Sequence, residues 1–159
     1  MTYAKTTSVP VERSKTEIER TLQRYGASQF IYGWDQDEAV VGFVVKHEGQ
    51  SRQIRFKVKL PTADELRSAG SRRRSPSQIE TALAQTTRQR WRALLLIIKA
   101  KLEAIEIGIA TFEDEFLAYT MLPSGQTVGE WVAPQLEEVY ETGVMPGSLR
   151  LALPTGGDQ

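Results

Sequence analysis

The chain contains no cysteine, which excludes disulfide staples, thiolate metal sites and a cysteine nucleophile, and fits a reducing compartment. Histidine occurs once, at His47. Any serine-histidine-acid triad would have to use that residue, and no nucleophile elbow accompanies it. Neither of the glycine patterns that cradle phosphates, G-x-x-x-x-G-K-[ST] and G-x-G-x-x-G, is present. The longest apolar run, Ala93 to Ile98, falls far short of the ~20 residues a bilayer requires. With no signal peptide visible, a cytoplasmic location is the default. The sequence assigns no catalytic residue, no cofactor and no metal.

What is present is an ordinary globular balance, 40% hydrophobic and 25% charged over 159 residues, enough for one domain with a real core. Twenty basic and 20 acidic residues cancel formally, but they are not mixed. Between Lys46 and Lys101 there are 14 basic residues and 4 acidic ones, a net +10. From Leu102 onward 10 acidic residues face Arg150 alone, a net −9. This segregation is the most informative global feature of the chain.

One stretch, 75–108, organises the rest. Ser75 reads as an N-cap, Pro76 as the first helical residue, Gln78 as the capping-box partner and Gly108 as the left-handed stop. The helix between them is about 48 Å long at 1.5 Å per residue. Ile79, Leu83, Trp91, Leu94, Ile98, Leu102 and Ile105 share one arc, with Ile97 at its edge, and Arg88, Arg92 and Lys99 lie opposite. Arg90 and Lys101 intrude on the apolar arc, where snorkelling or ion pairing accounts for them better than a buried charged site.

In chain order, Ser14 and Glu17 form a capping-box pattern ahead of a short helix over about 15–25 that ends at Gly26. Three β-rich runs follow, SQFIYGW, AVVGFVVK and RQIRFKVKL, separated by turn-like DQDE and HEGQS; they read as an antiparallel meander. In the third, Ile54, Phe56, Val58 and Leu60 alternate with Arg55, Lys57 and Lys59, which predicts an apolar face on the long helix and a basic row in solvent. Residues 61–74 read as a mobile loop ending in Arg72, Arg73 and Arg74. Thr111 with Asp114 opens a short acidic helix. Thr127 with Glu130 opens another that runs to Thr142, kinked or split at Pro134, with Trp131, Leu136, Val139 and Tyr140 on its buried side. The fold class is therefore α+β, a single domain over 1–143 with a Pro/Gly-rich tail over 144–159.

Three constellations bear on chemistry. His47, beside Glu48 in a hairpin turn, reads as a solvated surface residue. Glu113, Asp114 and Glu115 offer carboxylates to Mg²⁺, but consecutive helical positions diverge, and acids are favoured in a first helical turn anyway. The helix-and-strand order suggests some metal-dependent nucleases, yet their strand-borne acid pair followed by lysine is replaced here by Gln53, Ile54, Arg55, Phe56 and Lys57. The basic features weigh more. Arg55, Lys57 and Lys59 on one strand face stand about 6.6 Å apart, close to the phosphate spacing of a nucleic-acid strand. Arg72, Arg73, Arg74, Arg88, Arg92 and Lys99 extend that surface, and Phe30, Tyr32 and Trp34 share one face of the first strand, which would stack bases if it is the open face.

The stretches VPVERSKTEIERTLQRYG, TTRQRWRALLLIIKAKLEAIEIGIATFEDEFLAYTMLPSGQTVGEW and VYETGVMP resemble a family of small uncharacterised phage and prophage proteins. The resemblance covers most of the chain outside 61–74 and carries no catalytic motif, so no functional residue is carried over from it. It implies a phage accessory protein in bacterial cytoplasm. The leading expectation is then non-enzymatic nucleic-acid binding through the basic strand, loop and helix face. The alternative is a protein-binding or oligomer-forming module that modulates a host factor through its acidic C-terminal helices. A metal-dependent nuclease comes third.

Overall fold

The computed structural model describes residues 4–35, 37–68 and 74–145. Its first helix, α1, spans Val11–Tyr25 and begins four residues earlier than the capping pattern at Ser14 predicts. Pro10 is the N-cap, its φ of −59° fixed by the ring, and its carbonyl accepts the amides of Arg13 and Ser14. Ser14 is instead one turn inside the helix and fully buried, aligned with Ile18 and Leu22 on the inward stripe. Gly26, at φ 102°, ends the helix as expected.

Strands β1 (Gln29–Trp34), β2 (Glu38–His47) and β3 (Gln50–Lys59) form an antiparallel sheet in the order β1-β2-β3. Glu48 and Gly49 join β2 to β3 with φ values of 49° and 78°, the two left-handed positions of a type I′ turn, whose twist matches the flanking strands. Alternation sets one face inward: Ala39, Val41, Phe43 and Val45 from β2, and Ile54, Phe56 and Val58 from β3, are all buried.

After β3 the 61–74 stretch is not simply a loop. Helix α2, Ala63–Ser68, occupies its first half. The Thr62 hydroxyl accepts the Glu65 amide and the Glu65 carboxylate accepts the Thr62 amide. This is a capping box legible in TADE and overlooked because the stretch lacks an apolar stripe. Arg72 and Arg73 lie outside the described residues.

The long helix α3, Pro76–Glu106, has the predicted Ser75–Gln78 box. Gly108 (φ 78°) supplies the predicted left-handed residue at its end. Trp91, Leu94, Leu95, Ile98 and Leu102 pack on the inner sheet face together with Ile18 and Leu22 of α1. Each fully buried aliphatic side chain of this kind contributes about 1.5–3 kcal/mol.

Helix α4, Phe112–Phe116, has the predicted Thr111–Asp114 box. It closes one end of the core with an aromatic cluster, Phe116 lying 6.0 Å from Phe43 and 5.1 Å from Phe112 between ring centroids. A single 3-10 turn, Leu117–Tyr119, follows and stacks Tyr119 on Phe56. Helix α5, Val128–Thr142, starts at the predicted Thr127–Glu130 box and stops at Gly143. It is one continuous helix, not split at Pro134. The predicted burial of Trp131, Leu136, Val139 and Tyr140 is overturned, for α5 contains no buried residue.

Candidate functional site

The basic row on β3 is aligned as predicted and is ion-paired along its length, with Lys59 still 71% exposed and Arg55 drawn under α5. The Arg55 guanidinium donates from Nη2 to Glu130 Oε2 at 2.5 Å and from Nη1 to the Gly125 carbonyl at 3.1 Å. Lys57 Nζ lies 2.8 Å from Glu130 Oε1 and 3.4 Å from Glu38 Oε1. Lys59 Nζ lies 2.7 Å from Glu65 Oε1 on α2. Three cations at alternate positions of one strand are thus matched by carboxylates delivered from β2, α2 and α5. Glu130 is the hub. Lys57, the Thr127 amide and Arg55 together hold its carboxyl down to a pKa of about 2.

The second basic row, opposite the apolar arc of α3, faces α1. Arg92 Nη1 and Lys99 Nζ approach Glu17 Oε2 at 3.1 and 3.6 Å, and Arg13 Nε approaches Glu17 Oε1 at 3.3 Å. Burial opposes ionisation of Glu17, but Arg92, Lys99 and Arg13 outweigh it and its pKa is lowered. Arg88 donates to Gln85 Oε1, and Gln85 in turn donates to the Lys5 and Thr7 carbonyls. Arg74 Nη1 donates to the Leu66 carbonyl at 2.9 Å. The two residues that break the apolar arc find carboxylates, as the ion-pair reading expects: Arg90 Nη2 lies 4.0 Å from Glu65 Oε2 and also donates to the Lys59 carbonyl, and Lys101 Nζ contacts the Glu115 carbonyl and carboxylate at 2.9 and 3.0 Å.

The strand aromatics turn the other way from a stacking platform. Phe30 and Tyr32 are half-buried against the core, and the Tyr32 hydroxyl donates to the Lys15 carbonyl at 2.6 Å. Burial, together with Glu19 and Glu12, raises the Tyr32 pKa. Trp34 alone stays open, 78% exposed.

His47 is not a solvated turn residue. It ends β2, stacks on Phe112 with centroids 4.5 Å apart, and brings Nε2 within 2.8 Å of Glu113 Oε1, close but not aligned as a hydrogen bond. The three consecutive acids of α4 diverge: Glu113 toward His47, Asp114 onto the Thr111 amide and hydroxyl, Glu115 onto Lys101. No group of three or more metal-ligating side chains occurs among the described residues. No helix among them is long and apolar enough to cross a membrane.

Two surfaces are left open. One is the C-terminal half of α5, beyond the Glu130 ion pairs, where Leu136 is 49% and Tyr140 87% exposed beside Glu137, Glu138 and Glu141, with Val144 and Met145 exposed just beyond. The other is a groove between α1 and α3 lined by Arg20, Arg24 and Lys99. Among the described residues, no carboxylate lies within ion-pair distance of Arg20 or Arg24, and the far end of the groove carries Glu103 and Glu106. The acidic C-terminal helices are the alternative docking surface expected from the sequence, although the apolar period of α5 reads there as a buried side. Arg20 and Arg24 carry no sequence signal that singles them out. Comparison with protein-family models, with curated proteins and with solved structures returns no match.

Proposed function

We propose that this chain is a non-enzymatic, protein-binding accessory module that docks through helix α5, in the phage setting which the sequence resemblance implies. One observation carries the reading: on a 15-residue helix that buries no residue, Leu136 is 49% and Tyr140 87% exposed while Trp131 and Val139 are half-buried. An amphipathic helix draws most of its stability from tertiary packing, so apolar side chains left this open favour a partner. The chemistry of that partner follows from charge. Leu102 to Met145 contains no basic residue, and Glu137, Glu138 and Glu141 stand beside the exposed apolar side chains. The complementary surface is an apolar patch rimmed by lysine or arginine, arranged as a groove that accepts a helix.

The test is site-specific photocrosslinking in the bacterial host from position 136 and, separately, position 140, with Arg13 as a control site. The reading requires one protein captured from both α5 positions and not from the control. Its affinity must fall with salt and be lost on Leu136→Ser. Different proteins from the two positions, or capture that survives Leu136→Ser, would sink it.

A second reading, nucleic-acid binding, is favoured by the pair Arg20 and Arg24 beside Lys99 in the α1–α3 groove. It is disfavoured at β3, where ion pairing already occupies the cations. Titration into labelled DNA and RNA at several salt concentrations tests it. A log-log salt slope of several units that is reduced by Arg20→Glu and Arg24→Glu would support the groove; no binding at low salt would exclude it.

A further inference from the structure

The sheet has two edges and they are treated differently. On β3 the outward backbone is engaged in part: the Met121 amide donates to the Gln53 carbonyl at 2.8 Å, Thr120 bridges to Ile54, and Arg90 takes the Lys59 carbonyl. The strand itself carries Arg52, Arg55, Lys57 and Lys59, charges of the kind that discourage edge pairing. On β1, no backbone group among the described residues pairs except with β2. Its sequence, QFIYGW, contains no charge and no proline. It therefore lacks the charge and the proline by which a single chain commonly keeps an edge strand from recruiting another.

Which groups are offered follows from the register. The Asp35 amide donates to the Glu38 carbonyl, so with antiparallel alternation the amides and carbonyls of Gln29, Ile31 and Gly33 point to β2. Those of Phe30, Tyr32 and Trp34 point to the open edge. The side chains are self-complementary about the middle of this row. In an antiparallel pairing of β1 with a second β1 centred on Tyr32, residue 30 meets 34 and residue 31 meets 33. Trp34, which is 78% exposed, then lies across from the half-buried Phe30 of the second copy. Ile31, which is 63% exposed on the outer face, lies across from Gly33, beside whose Cβ position there is open space.

We infer that the β1 edge is a homodimerisation surface, where two copies join β1 to β1 about a two-fold axis through Tyr32 and build one continuous six-stranded antiparallel sheet. Its contacts are isologous, so the assembly closes at two, and its outer edges are the charged, partly covered β3 strands. Backbone pairing supplies the attraction. The Trp34–Phe30 and Ile31–Gly33 pairs set the register, because a slip of one residue would send each side chain to the opposite face. This surface is independent of α5, and either can fail alone.

The experiment is sedimentation velocity of the full chain across a range of protein concentrations, with three variants and circular dichroism to confirm folding. Trp34→Pro removes an amide that points away from β2, a position where an edge strand tolerates proline. Ile31→Lys places a charge on the exposed face of the same edge. Leu136→Asp alters α5 only. The expected result is a monomer–dimer equilibrium for the wild type and for Leu136→Asp, and folded monomers for Trp34→Pro and Ile31→Lys at every concentration. Should Trp34→Pro unfold, Ile31→Lys decides. Because the chain is cysteine-free, the double variant Ile31→Cys/Gly33→Cys adds a register check. The two positions form non-hydrogen-bonded pairs about 4.5 Å apart between Cα atoms, within disulfide range. Oxidised glutathione should therefore yield a covalent dimer that dithiothreitol reverses. A wild type that stays monomeric, a dimer that persists in Ile31→Lys, or a dimer lost with Leu136→Asp would overturn the inference.

Discussion

Glu130 Oε2 lies 2.5 Å from the Arg55 guanidinium, joining the first turn of α5 to the middle of β3 across 75 residues of sequence. The same carboxylate accepts the Thr127 amide at 2.8 Å and meets Lys57 through its other oxygen. A helix cap and a cross-element ion pair therefore share one side chain. Replacing it with alanine removes both. We expect Glu130→Ala to cost about 1–2 kcal/mol, from the lost cap together with the pairs it anchors. Thermal denaturation would measure this, and an unchanged melting temperature would contradict the hub.

The pH dependence follows from the same site. The folded pKa of Glu130 is lowered to about 2 from an ordinary 4.5, first by Lys57 and then by the Thr127 amide. Between those values the unfolded chain binds the proton and the folded chain does not. The contribution is therefore complete above about pH 4.5 and is lost as pH falls toward 2. Melting temperature should fall across that window in the wild type and less steeply in Glu130→Gln. A residual slope remains, because the Glu17 and Asp114 pKa values are lowered as well.

Ser14→Ala tests the revised start of α1. Were Ser14 the N-cap, alanine would cost about 1 kcal/mol. Its Oγ is instead buried without a hydrogen-bond partner. Alanine removes an unmet polar group and improves helix propensity, so a gain of about 1 kcal/mol is expected. The sign of the change in denaturant midpoint settles the matter.

Gly129→Ala should go against propensity. A Cβ there would meet the Ala118 carbonyl oxygen at 2.9 Å and the Ala118 Cβ at 3.4 Å. Alanine ordinarily gains up to about 1 kcal/mol over glycine in a helix. The overlap with backbone should exceed that gain and leave the variant less stable by about 1 kcal/mol. Urea denaturation followed by tryptophan fluorescence would report it, and a stabilised variant would mean that α5 is free to move off the 3-10 turn.

Adjacent positions on α3 should behave oppositely. Ile98 is fully buried and Ile97 is 47% exposed. Ile98→Ala is expected to cost about 2–5 kcal/mol, and Ile97→Ala to stay within about 0.5 kcal/mol. Comparable losses at both would place an additional partner on the Ile97 side.

Local signals made the elements legible in the sequence. Ser75, Thr111 and Thr127 each cap the helix they announce, and the β3 alternation puts Ile54, Phe56 and Val58 inside. Apart from the Ser14 pattern and the TADE box of α2, what escaped was tertiary. The fate of Arg55 and Lys57 depends on a glutamate 73–75 residues away, which no local pattern encodes. Two strand aromatics face inward because α1 and Trp91 lie on that side. The α5 stripe misled for a related reason: periodicity shows that a helix has an apolar face, not that the same chain covers it.

The clasp of Arg90 on the Lys59 carbonyl has a topological consequence. It fastens the last residue of β3 to the interior of α3, and the Arg74 bond to Leu66 draws the start of α3 back to α2. Strand β3, helix α2 and the start of α3 are thus fastened to one another by two arginines, each donating to a backbone carbonyl. Neither contact needs a carboxylate, so both should outlast salt that screens the neighbouring Lys59–Glu65 pair.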